Sequence, residues 1–325
     1  MKKYALMDLH LHLDGSQPLS SVKELAAMQN IEIPSDDELI PLIRVQPDCR
    51  SLTEYLEKFA FPLSLMQTEK AISASVYNLC KELYDEGLIY CEIRFAPQLH
   101  CDKGLNQAQV IEAAIEGAKR SPIPCSLILC CMRGTDNHAA NIETIELAAK
   151  YLGSEVKSVD LAGAEALFPT ENFYDLFELA KKLNVPYTIH AGEAAGSESM
   201  LAALEMGTRR LGHGVHSYKD EALMKKLAAE EILLELCPTS NLHTCIFSDI
   251  SQYPIKTFLD MGVKFSVNTD NMAVSGTNLE QEWNLIQSAF NLSHEQIKEI
   301  LRNTAKACFA DENTKKMLIE HIEKM

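Results

Sequence analysis

Four short apolar runs in this chain end in side chains that can hold a metal or carry a proton. The first is Tyr4-Ala-Leu-Met-Asp-Leu-His-Leu-His-Leu-Asp14-Gly15. Read as a β-strand, it sends alternate residues to one side, so His10 and His12 aim at one point, with Asp8 and Asp14 on the same face. Two converging imidazoles at a strand end make half of a metal site. A histidine pair in a strand is often merely hydrogen-bonded; the position of this one, where the strand gives way to the Asp14-Gly15 loop, adds weight. The second run, Val185-Pro-Tyr-Thr-Ile-His190, is followed by Ala191-Gly192-Glu193. A histidine at a strand end with a glutamate mounted on the next turn offers a ligand and a nearby acid or base, as metal-assisted hydrolysis requires. The third, Arg209-Arg-Leu-Gly-His213-Gly-Val-His216, places His213 between two glycines, where backbone bulk is absent and something can approach closely. His213 reads as a further imidazole ligand or a general base, and His216 as structural. The fourth, Phe265-Ser-Val-Asn-Thr-Asp270-Asn271, ends in a carboxylate and an amide. By itself such an Asp is usually a helix cap.

Taken together, His10, His12, His190 and Asp270 form an N₃O set of the kind zinc accepts while leaving a position for water.

Eight candidate strands position these groups: Tyr4 to Leu13, Leu88 to Ala96, Pro124 to Met132, Val156 to Ala162, Val185 to His190, Arg209 to His213, Ile232 to Leu236 and Val263 to Asn268. Amphipathic stretches lie between them, including Asn106 to Arg120, Asn141 to Leu152, Phe173 to Leu183, Ser197 to Met206 and Lys219 to Ala229. Strand-helix alternation implies parallel strands, and eight such units predict a closed (β/α)₈ TIM barrel. An open doubly wound sheet competes, but no Gly-x-Gly-x-x-Gly loop follows the first strand. The interval from Gly15 to Gly87 is longer than one crossover needs. Its helical patterns (Leu19 to Gln29, Leu52 to Met66, Glu69 to Glu86) enter at the C-terminal mouth, where barrel active sites lie. The expectation is one domain, 1–325, with a helical insertion over 16–87. That insertion is either extra packing or a lid whose apolar face (Leu52, Tyr55, Leu56, Phe59) covers a flat organic ligand.

The bulk properties narrow the partners. With 46 acidic against 30 basic residues, a surface of net charge −16 repels phosphate backbones and disfavours a nucleic-acid substrate. The ten cysteines have no repeating spacing and no Cys-x-x-Cys pair, and Cys130-Cys131 lies in an apolar run, which reads as buried reduced thiols. The apolar stretch after Met1-Lys2-Lys3 meets Asp8 too soon for a signal-peptide core, and no run reaches membrane-spanning length. A cytoplasmic protein is expected.

The ordered set Leu9-His-Leu-His-Leu-Asp-Gly15, Thr188-Ile-His-Ala-Gly-Glu193, Gly212-His-Gly214 and Ser266-Val-Asn-Thr-Asp270 resembles the motifs of the adenosine deaminase family, from the first strand to the last. Each motif is weak alone and specific as a set. The resemblance implies a mononuclear zinc barrel that hydrolyses the 6-amino group of adenosine or 2′-deoxyadenosine by a zinc-activated hydroxide, giving the inosine product and ammonia. It implies that His10, His12, His190 and Asp270 bind one Zn²⁺, that Glu193 protonates purine N1, and that His213 orients and deprotonates the water. It gives the N3 contact to the Gly163 backbone, the ribose 5′-hydroxyl to Asp14 and an apolar gate to Tyr55, Leu56 and Phe59. Asp270 would also accept a hydrogen bond from the hydroxide, and Glu193 would need a raised pKa to act as an acid near neutrality.

One departure stands out. Many family members carry two aspartates where this chain has Asp270-Asn271, the second meeting purine N7. An amide donates to that acceptor without needing a proton, so Asn271 is chemically suitable while leaving the preferred purine open. Met272 replaces the usual proline. Adenine and N6-modified adenine nucleotides remain alternative substrates, although Arg94 alone makes no phosphate site. Two-metal relatives bridge their ions with a lysine at the end of strand four; here Gly163 follows that strand and Lys157 lies near its start, which argues for one metal. The His-x-Glu and Pro-Cys-x-x-Cys signature of nucleic-acid deaminases does not occur. A non-catalytic ligand-binding barrel is the reading from another class; it predicts degraded ligands or a missing acid, and every named group is present.

Overall fold

In the computed structural model, residues 4–46, 49 and 52–325 are described, apart from the side chains of Leu52 and Thr53; the Met1-Lys2-Lys3 start lies outside them. Strands β1 (Leu6–His12), β2 (Leu88–Phe95), β3 (Cys125–Met132) and β4 (Val156–Ala162) pair in sequence order. So do β5 (Ile189–Ala191), β6 (Arg210–His213), β7 (Leu233–Leu236) and β8 (Lys264–Val267), and every pairing is parallel. Two seams close the ring. Val159 N–H donates to Pro186 O at 3.0 Å and Thr188 N–H to Val159 O at 3.1 Å; His12 N–H donates to Asp270 O and Asp270 N–H to His10 O, both at 2.8 Å. The expected (β/α)₈ barrel is the observed fold.

β5 is shorter than the Val185 to His190 run predicts. Pro186 has no N–H to give the ladder, so the run pairs with β4 through one isolated bridge, Val159 to Tyr187. Leu9, Leu11 and Leu13 are fully buried, and so is His10. Burial on both faces is what a barrel strand requires.

The barrel interior is unusually ionic. Glu92, Arg94, Asp160, Arg210 and Glu235 are buried there, with Arg94 on Asp160 (2.9 Å) and Glu235 (2.7 Å), and Arg210 on Glu92 and Glu235 (both 2.7 Å). Buried charges persist when each is paired and hydrogen-bonded. Arg94 is thereby committed beneath the site and is not a mouth group for phosphate.

Between β1 and β2 lie α1 (Leu19–Met28), α2 (Asp36–Ile43), α3 (Leu52–Glu57), α4 (Ala60–Leu65) and α5 (Glu69–Asp85). The single helix expected over Leu52 to Met66 is two. Pro62 has no N–H for the Lys58 carbonyl, and its ring would clash there, so the helix breaks at Lys58-Phe59 and restarts. The unanticipated α2 starts at a Ser35/Glu38 capping box. Helix α5 packs on β2 and on α6 (Gln107–Lys119). It is the crossover helix of the first β/α unit, which leaves the segment before Glu69 as the true excess. Helices α7 (His138–Tyr151), α8 (Tyr174–Lys182), α9 (Ser197–Glu205) and α10 (Glu221–Ala229) follow the predicted stretches closely. Among the described residues no helix is long and apolar enough to cross a membrane.

Candidate active site

The ends of β1, β5 and β8 bring His10, His12, His190 and Asp270 together, with their ligand atoms all within 4.8 Å of one another. His12 Nε2 lies 3.3 Å from His190 Nε2; Asp270 Oδ1 lies 3.4 Å from His10 Nε2 and 3.5 Å from His12 Nε2. Donors bound at about 2.0–2.1 Å to a tetrahedral ion stand roughly 3.4 Å apart, so the spacing suits a zinc-sized cation. The tautomers suit it too. His10 Nδ1 faces Glu235 Oε2 and His190 Nδ1 faces Asp160 Oδ2, each at 2.8 Å. A carboxylate on Nδ1–H turns the Nε2 lone pair inward. His10 Nε2 is buried without a hydrogen-bond partner, an orphan that a metal would satisfy.

Backbone geometry is set for this convergence. Asp270 and His213 are non-glycine residues at φ +62° and +58°, conformations that cost roughly 1–3 kcal/mol each and cluster at functional sites. Asp270 is held there by its two seam hydrogen bonds to β1, and its Oδ2 accepts from Ser240 Oγ at 2.6 Å. A Cβ on Gly212 would lie 3.0 Å from His190 Cα and 3.2 Å from His10 Cε1, so a side chain there would crowd the rings.

Glu193 Oε2 stands 3.6 Å from His213 Nε2. Burial, then the negative charge of Asp270, pushes Glu193 up to about 7. Burial pulls His213 down to about 3, so its neutral form is the one present at neutral pH. Tyr253 Oη donates to Asn241 Oδ1 at 2.8 Å, and Asn241 Nδ2 faces His213 Nδ1 at 3.2 Å. An amide N–H donating to Nδ1 leaves the imidazole proton on Nε2. His216 Nδ1 lies 3.0 Å from Ala195 O.

Around this centre, Gly163 follows β4 directly, exposed and at φ +105°. Asp14 is half-buried, and burial pushes it up to about 6. Asn271 is buried with Oδ1 unpartnered. It sits against Gly15, where a Cβ would come within 2.0 Å of Asn271 Oδ1 and 2.8 Å of Phe59 Cε1. Tyr55 packs with Phe59, their ring centroids 6.1 Å apart, and its hydroxyl lies 2.9 Å from Ser275 Oγ. Leu56 is not brought into this cluster: it is 53% exposed, because one helical step turns it about 100° from Tyr55.

Sequence reasoning missed Asp160, Glu235, Ser240, Asn241 and Glu165. The available signal was a charge inside an apolar strand, as in Leu233-Leu-Glu235-Leu236, which calls for a buried partner. Glu165 sits in a turn and Asn241 in the short helix Pro238–His243, and neither carries such a mark.

A closed parallel barrel with a His₃Asp donor set at the C-terminal ends of its strands and a carboxyl of raised pKa beside it is the arrangement of a metal-dependent hydrolase. Comparison with known proteins agrees. The adenosine deaminase family model matches residues 5–325, and the chain belongs to that family. It is 44% identical to an adenosine deaminase of Haemophilus ducreyi, over 99% of this chain and 97% of the relative. It is 39% identical to one of Clostridium botulinum, over 100% and 98%. Among solved structures, an adenine deaminase from Arthrobacter aurescens superposes with TM-score 0.87 at 21% identity, covering 98% of both chains. The Arabidopsis N6-mAMP deaminase gives 0.87 at 25% identity, over 100% of this chain and 99% of that one.

Proposed function

We propose that this chain hydrolyses adenosine and 2′-deoxyadenosine to inosine or 2′-deoxyinosine and ammonia, using one Zn²⁺ held by His10, His12, His190 and Asp270. The observation that carries the reading is the approach of these four donors to within 4.8 Å of one another, with Glu193 beside His213 at 3.6 Å. Bound zinc supplies a Lewis acid that makes a water molecule nucleophilic near neutral pH. Glu193, neutral below about 7, gives its proton to purine N1 and drains electron density from C6 as the water oxygen bonds there; one water proton passes by way of Asp270 to the amino group, which leaves as ammonia, and the other returns to Glu193. His213 orients that water through Nε2–H; the hydrogen bond from Asn241 favours this orienting role over the removal of its proton that the resemblance implies. Asp270, steadied by Ser240, accepts the hydrogen bond that fixes the water's direction.

The substrate contacts complete the proposal. Gly163 N–H meets purine N3, the Asn271 amide donates to N7 and Asp14 takes the ribose 5′-hydroxyl. Tyr55 and Phe59 form the apolar cover, with Leu56 at its exposed edge. Residues 1–325 act as one catalytic domain, and the helical part of 16–87 that precedes α5 acts as its lid. We place the enzyme in the cytoplasm, in purine salvage, where buried thiols such as Cys130 and Cys131 stay reduced. Withdrawal of Arg94 into the barrel favours a nucleoside over a nucleotide.

The test is a panel of adenosine, 2′-deoxyadenosine, adenine, AMP and N6-methyl-AMP, read by ammonia release. Adenosine and 2′-deoxyadenosine turnover that a chelator abolishes and Zn²⁺ restores is expected. Faster release from adenine or a nucleotide would reassign the substrate, and a zinc-loaded protein inert to the whole panel would leave a binding barrel.

A further inference from the structure

On the outer face of the barrel, away from the His/Asp centre, three cysteines from three elements meet. Cys91 on β2 and Cys125 on β3 are direct partners in the parallel register. Their neighbours Tyr90, Glu92 and Ser126 bond to one another on the opposite, interior face, so the two thiols point outward. Cys80 lies on the buried face of α5, which packs on β2. The three Sγ atoms lie within 4.8 Å of one another.

Buried cysteines are ordinarily small core hydrophobes, but this trio differs in two ways. Cys80 and Cys91 are fully buried while Cys125 is half-buried. Cys125 also lines a cavity of about 400 Å³ together with Ser121, Lys157 and Asp311, which gives the cluster an entry path.

We propose that Cys80, Cys91 and Cys125 form a second metal site, separate from the catalytic one, that takes one thiophilic cation of the zinc class. The three thiolates are its ligands, and solvent from the cavity is the fourth. Zinc–sulfur bonds of about 2.3 Å place tetrahedral sulfurs about 3.8 Å apart, within a side-chain adjustment of the observed cluster. Binding sends the thiol protons to solvent. A disulfide would use two of these sulfurs and strand the third; a cation engages all of them.

The metal-free full-length protein titrated with Cd²⁺ tests this. The proposed catalytic ligands contain no sulfur, but the Cys237 thiol can share an ion with His10 and His213, so parent and variants carry Cys237→Ser, and thiolate-to-cadmium charge-transfer absorbance then reports cysteines away from that centre. We expect that band, two cadmium ions per chain, and thiols that resist alkylation until the metal is chelated. Cys91→Ser should remove the band and one cadmium. Cys125→Ser, at the half-buried position, should do the same if the first variant misfolds. Aminopurine turnover of either folded variant, reconstituted with zinc, should equal that of the parent. Absence of the band, its persistence in the folded variants, or a disulfide between any two of these cysteines in the purified protein would overturn the proposal. None of these outcomes bears on the catalytic centre, whose own test is ammonia release.

Discussion

Glu165 Oε2 accepts the backbone N–H of Glu193 at 3.0 Å: one carboxylate holds the main chain that carries the other. The same group takes the N–H groups of Gly192 (2.7 Å), Ala194 (2.7 Å) and Ala195 (3.1 Å) and the Ser199 hydroxyl (2.5 Å). Burial opposes its charge, but Ser199, the backbone donors and Arg133 outweigh that and keep Glu165 below the usual carboxylate range. Its charge in turn helps push Glu193 up. Neighbouring carboxyls with divergent pKa values are how a site assigns acid and base at one pH. Glu165→Gln should lower kcat by about 10- to 100-fold, the loss of roughly 1.5–3 kcal/mol of charged hydrogen bonding, with little change in metal content. The alkaline limb of its pH–rate profile should move down in pH as the repelling charge goes. An unchanged limb would reduce Glu165 to a purely structural loop anchor.

Glu193→Gln should cut kcat by about 10²–10⁴-fold, the range for a lost general acid, while zinc content and KM stay near the parent values. In the parent the working form is the protonated acid. Activity should therefore hold below a pKa of about 7 and fall as pH rises through it. Adenosine-to-inosine absorbance against pH checks both, and a variant with parental turnover would remove Glu193 from the chemistry.

Asp160→Asn should weaken zinc binding by about 10- to 100-fold, because orienting partners of ligating histidines contribute on that scale. Asp160 fixes His190 Nδ1 at 2.8 Å and also pairs with Arg94 at 2.9 Å. Loss of thermal stability should accompany the loss of affinity, since Arg94 loses one of its two ionic partners among the described residues. Competition with a chromogenic chelator measures the first and a melting curve the second.

Gly15→Ala should raise KM strongly with zinc content intact. Its methyl would occupy the space of Asn271 Oδ1, 2.0 Å away, and press on Phe59. Those are the two groups assigned to the purine face, so the damage is expected in substrate binding before metal binding. Steady-state kinetics beside metal analysis separates the two.

Glu282 supplies a pH test remote from the metal ligands. It is fully buried, accepts from Thr277 Oγ1 at 2.6 Å and Thr239 N at 3.1 Å, and burial pushes it up to about 7. Between its ordinary value near 4.5 and about 7 the unfolded chain releases a proton that the folded one keeps. Stability from this group is thus complete at the acid end and is lost as pH rises across that window, by about 3 kcal/mol in all. Glu282→Gln should flatten this part of the stability–pH curve in urea titrations; an identical slope would show that Glu282 ionises as it does when unfolded.

Much of the barrel was legible because its signals are local. Alternating apolar runs with ligands at their ends mark strands wherever they occur, and His10 and His12 must share a face once β1 is extended. The misplaced elements trace to proline. Pro186 trims β5 by withholding a ladder donor, and Pro62 splits a helix whose apolar pattern runs straight through it. The inserted segment is shorter than 16–87 because amphipathic periodicity does not say against what a helix packs, and only packing shows α5 to be a crossover helix.

By itself, then, the order of residues settled the parallel barrel and singled out the four proposed metal ligands and the proposed acid, since each depends on strand period and on what stands at a strand's end. Folding decided everything that needs two distant segments at hydrogen-bond range. It set the orientation of His10 by Glu235 and of His190 by Asp160, the tautomer of His213 and the grip of Glu165 on the Glu193 turn. It also left Leu56 outside the cover. Hydrogen bonds act over about 3 Å, and no linear pattern records which residues far apart in the chain come that close.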